Sequence, residues 1–151
     1  MDVPQNNPFQ PPQADLQQAT STQAPLYSIA GVGLATFIGT PLAGAWLLAH
    51  NLQVLGKADR VAMVWGIAVV FLVVTLGLAF LLPEEVPGMP FAIAQLMAMI
   101  MFAKSLMEAD LKQHAEARGA FLSNWRALGI GLMFTLGLAA LMFAVLMIFD
   151  I

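Results

Sequence analysis

The chain has no cysteine, and only six of its 151 residues are basic. The missing thiols exclude disulfides, thiolate catalysis and most structural zinc sites together. Charged residues make up 10% of the chain and hydrophobic ones 60%. Soluble domains carry about 25% and about 45–50% respectively. A core this small cannot hide so many apolar side chains, so they face lipid. The six basic residues are few and scattered, and the net charge of −3 leaves no footprint for nucleic acid. No Ser/His/Asp grouping, phosphate-cradling glycine loop or pair of intramembrane acids is present, so the chain reads as non-enzymatic and without a cofactor. No charged residue lies in the middle of an apolar run, where an ion-coupled carrier is expected to keep a carboxylate.

Residues 1–25 contain no Lys or Arg and no apolar run, but they hold Pro4, Pro8, Pro11, Pro12, Pro25 and six glutamines. That composition argues against a signal peptide. It predicts a disordered, partly polyproline-II tail over residues 1–24. The string NPFQPP within it, with Asn7, Pro8, Phe9, Pro11 and Pro12, is a candidate docking motif. Slack before the fold is the alternative.

Four apolar stretches follow, at about 25–49, 61–82, 88–107 and 126–149. A helix needs about 20 apolar residues to cross the hydrocarbon. The third stretch is the weakest, with Gln95 inside it, but charge supports four crossings. Lys57 and Arg60 fall in the first connection, and Lys104, Lys112, Arg118 and Arg126 in the third. The second connection, PEEVPGMP, has no base. If every stretch spans, all six bases share one side, as the positive-inside rule requires. Both termini then lie outside the cytoplasm. Trp46, Trp65 and Trp125 fall at the expected cytoplasmic interface and Tyr27 at the opposite one.

From 104 to 118 there is no Gly or Pro. Glu108, Lys112 and Glu116 form an i,i+4 ladder, Asp110 and His114 form another such pair, and Gly119 supplies a stop. The third helix should therefore run on into the cytoplasm as an amphipathic extension over 104–118. The expected fold class is an all-α integral membrane protein: four transmembrane helices as two hairpins, the third helix extended, all within 25–151. A weak internal repeat, Trp65-x9-TLGLA and Trp125-x9-TLGLA, fits a duplicated hairpin.

Small residues four apart share one helix face and let backbones approach closely. Two such strips occur, Ala35/Gly39/Ala43 and Ala127/Gly131/Thr135. They fit packing inside one bundle, or self-association. Pro41 removes a helical hydrogen bond and predicts a kink in the first span. Gln95 suits an interhelical hydrogen bond or a pore lining. His50, Asp110 and His114 are the residues that a surface metal site would draw on, and interfacial histidines beside carboxylates have the simpler reading of solvated side chains.

The segments ATFIGTPLAGAWLLAHNLQVLG and GAFLSNWRALGIGL resemble the first helix and last-helix entry of a family of small bacterial multispanning inner-membrane proteins. The tail's NPFQPP is similar to their Asn-Pro-Tyr-x-Pro-Pro start, with Phe9 in place of tyrosine. The resemblance implies a bacterial inner membrane and carries no catalytic or binding residues. The expected role is association with a second copy or another membrane protein, as an accessory or scaffold subunit. An oligomeric channel and a membrane immunity or regulatory protein are the alternatives.

Overall fold

The computed structural model describes residues 24–149 except 82 and 84, so the candidate docking motif at 7–12 lies outside the described residues. Four α-helices follow one another: α1 (Ile29–Val54), α2 (Val61–Leu81), α3 (Met89–Glu116) and α4 (Asn124–Phe149). A single 3-10 turn, Ala58–Arg60, joins α1 to α2. By length and composition all four helices are apolar enough to cross a membrane. The Gly- and Pro-free run after Lys104 does continue α3, as far as Glu116.

α1 departs furthest from expectation. Its sequence predicts one kinked span, but the chain reverses direction at Thr40, whose φ of 76° and ψ of 168° are not helical. Tyr27 and Asn51 would stand about 36 Å apart along a straight helix at 1.5 Å per residue. Instead the Tyr27 amide donates to Asn51 Oδ1 at 2.8 Å, and Asn51 Nδ2 donates to the Tyr27 carbonyl at 2.8 Å. α1 is thus two antiparallel arms, residues 29–39 and 41–54. Two local causes meet at the turn. Pro41 cannot donate to a carbonyl of the first arm, and it pushes the residue before it out of the helical region. Gly44 then lets the arms close, since a Cβ there would overlap the Thr36 side chain.

The first arm is started by Ser28, whose Oγ accepts from the Gly31 amide at 3.0 Å. The second arm ends in a Schellman turn: Gly56 takes φ 72°, and Lys57 donates to the Leu52 carbonyl at 2.8 Å. α3 closes in the same way with a different residue from the one expected. The left-handed position is Arg118, at φ 55°, and Gly119 follows it. Gly119 is needed for another reason, because a Cβ there would overlap the His114 ring.

The doubled α1 forms the core. In its most apolar stretch 67% of residues are buried, against 6% in α4. α2, α3 and α4 each pack on α1, and hardly at all on one another. The expected first hairpin, α1 with α2, is a packed pair, but α3 and α4 do not form a second one. Burial ends at the depth of the α1 turn. Among the described residues, none is buried after Ala68 in α2, before Met99 in α3 or after Gly131 in α4.

Candidate functional site

The two small-residue strips meet inside the molecule. A Cβ on Gly39 would overlap the backbone of Gly131, and one on Gly131 would sit 3.2 Å from the Ala35 carbonyl. Ala35, Ala43 and Ala127 are fully buried. Thr135 contributes chemistry as well as small size, since its hydroxyl donates to the Ile38 carbonyl across the α1–α4 contact. Ile38 lies in the last turn before the reversal, where the break leaves carbonyls without helical donors. Pro41 is itself buried. These residues form a seam that holds the reversal in place, so both strips are used within one chain.

Asn51 is the residue that sequence reasoning missed. It is fully buried, holds both backbone groups of Tyr27, and donates to Met107 Sδ at 3.4 Å. The available signal was an amide at the end of a long apolar run. Tyr27, expected at the interface opposite the tryptophans, instead packs edge-on to Trp46 with ring centroids 6.4 Å apart. It also lies 5.3 Å from the His50 ring.

The polar end of the bundle is tied together by contacts between distant segments. Leu26 forms an isolated parallel bridge with Phe121. Its amide donates to the Ala120 carbonyl at 3.2 Å, and its carbonyl accepts from Leu122 at 2.8 Å. Lys57 pairs with Asp110 at 2.6 Å, while Glu108 and Lys112 form the expected i,i+4 pair at 2.9 Å. Asp110 therefore bridges to the α1–α2 turn. His114 Nε2 lies 3.0 Å from the Ala120 carbonyl, its ring edge-on to Phe121. His50 Nε2 lies 3.5 Å from the Pro25 carbonyl. The two histidines and Asp110 thus serve three separate contacts, and among the described residues no three His, Asp or Glu side chains gather. An open cavity of about 410 Å³ at this end is lined by Ala24, Leu26, Val54, Leu55, Asp110, Gln113 and His114.

At the other end α2 and α3 diverge around a cleft of about 310 Å³. Thr75, Leu78, Ala79, Val86, Phe91, Ala92 and Gln95 line it. The Thr75 hydroxyl is satisfied by the Phe71 carbonyl at 2.8 Å. Gln95 is not satisfied: its Nε2 is buried without a hydrogen-bond partner among the described residues. An amide donor removed from water and left unpaired costs about 1–3 kcal/mol. The cleft thus offers an apolar wall with one donor awaiting an acceptor. No protein-family model, curated protein or solved structure matches this chain.

Proposed function

We propose that the protein is a non-enzymatic integral protein of a bacterial inner membrane that works by associating with another membrane protein or a second copy. The observation that carries this reading is the unpaired amide of Gln95 in the α2–α3 cleft. A neighbouring helix supplying a carbonyl or hydroxyl would satisfy it, and would cover helix ends that no other described residue covers. Lipid tails carry no acceptor at that depth. Supporting this, both small-residue strips are occupied within the chain, so association falls to the outer halves of α2 and α3. The positive-inside rule, applied to the basic residues, favours a cytoplasmic side for the 104–116 end of α3.

The test is site-specific photo-crosslinking in membranes from Ala92, which lines the cleft. A protein adduct is expected, reduced when Gln95→Leu is added. Adducts to phospholipid alone would refute the reading. The same Gln95 and Thr75, as polar groups facing a cleft, favour an oligomeric pore as the second reading. Conductance in planar bilayers that changes with Gln95→Leu would select it.

A further inference from the structure

The reversal at Thr40 bears on how the chain meets the membrane. The first arm of α1 rises about 16 Å and the second about 21 Å, at 1.5 Å per residue. Neither arm crosses a hydrocarbon layer about 30 Å thick. Broken backbone at such depth is tolerated only where protein surrounds it. Here Gly39 and Pro41 are buried, Thr40 is half-buried, and the exposed Thr135 side chain caps the Ile38 carbonyl.

The ends of the arms share one end of the molecule. Tyr27 is bonded to Asn51, and Leu26 pairs with residues 120–122 between α3 and α4. Lys57, just after the second arm, reaches Asp110 near the end of α3. The start of the described chain, the α1–α2 turn and the α3–α4 turn therefore lie together. All six basic residues belong to these turns, to the second half of α3 or to the first turn of α4. The α2–α3 turn, with Glu85 and no base, lies at the opposite end.

We propose that α1 is a re-entrant hairpin that enters and leaves the bilayer through its cytoplasmic face. α2, α3 and α4 are then the three crossings. Ala24 and the end of α4 then lie on opposite sides, Ala24 in the cytoplasm and the end of α4 in the periplasm. Four simple crossings would have put both termini in the periplasm. The positive-inside rule is obeyed either way, so charge alone does not separate the two topologies.

The chain's lack of cysteine makes the experiment direct, because each introduced thiol is unique. Exposed Ala24, Gln113 and Val86 are each replaced by cysteine in the full chain. An impermeant maleimide is applied to spheroplasts and, separately, to inverted membrane vesicles. Ala24→Cys and Gln113→Cys are expected to label in inverted vesicles only, and Val86→Cys in spheroplasts only. Labelling of Ala24→Cys and Gln113→Cys from opposite sides overturns the proposal. A second measurement is independent of sidedness. Ala24 and Val54 line one cavity, so a short bis-maleimide should join Ala24→Cys to Val54→Cys within one chain. Failure of that link, with each single thiol reactive, overturns it as well.

Discussion

Thr40→Gly separates a folded-back α1 from a continuous one by the sign of its effect. In a helix interior the change weakens stability slightly, by a few tenths of a kcal/mol, because glycine ranks about 1 kcal/mol and threonine up to about 0.7 kcal/mol below alanine. In this structure Thr40 sits at φ 76° and ψ 168°, a region almost reserved for glycine that costs other residues about 1–3 kcal/mol. Removing that strain outweighs the added entropy loss, leaving a net stabilisation of about 0.5–2 kcal/mol. The Thr40 side chain is only half-buried, so little packing is lost to offset the gain. The assay is reversible unfolding of the purified protein from mild-detergent micelles by added SDS, followed by far-ultraviolet circular dichroism. The midpoint should move to higher SDS for Thr40→Gly. Thr40→Ala, which keeps the strain, should not show the same shift. A Thr40→Gly variant that is destabilised, as a helix-interior position requires, would refute the reversal as drawn.

Further outcomes follow from the contacts around the arms. Asn51→Leu removes both partners of the Tyr27 backbone and should cost about 2–4 kcal/mol in the same assay, since each orphaned buried group costs about 1–3 kcal/mol. Gly39→Ala should cost about 3 kcal/mol through overlap with the Gly131 backbone. Gly66→Ala and Gly137→Ala, where nothing stands in the way, should be neutral or slightly stabilising when measured alongside. Lys57→Met should cost no more than about 1 kcal/mol, because Lys57 and Asp110 are both partly exposed. That small loss should shrink as salt is raised in a denaturation series.

What the sequence made legible is what hydropathy and charge encode. All four helices appear as long apolar runs, and the clustering of the bases outside the α2–α3 connection appears in the placement of Lys57 through Arg126. The strips around Gly39 and Gly131 were visible as small-residue spacing, and in the structure they mate with each other. The reversal was not legible because hydropathy does not record direction. Two half-depth arms joined at Thr40 have the same apolar length as one crossing. Pro41 signalled a break, but a proline fixes neither the angle nor the partner that fills it. The decisive residues, Asn51 and Thr135, act on backbone groups 24 and 97 positions away. Asp110 shows the same limit: local spacing pointed to His114, and the structure pairs it with Lys57. Gln95 was visible as a polar residue in an apolar run, but its lack of a partner became apparent only once α2 and α3 were seen to diverge.

The cap that Thr135 places on Ile38 also sets an order on synthesis. The carbonyl is made 97 residues before the hydroxyl that satisfies it. While α2 and α3 emerge, the tip of α1 has no α4 beside it, so its broken backbone must be sheltered elsewhere or stay near the surface. α1 is therefore among the last helices to reach its final packing. A chain ending before Thr135 would carry both arms of α1 and still lack the hydroxyl that caps the Ile38 carbonyl.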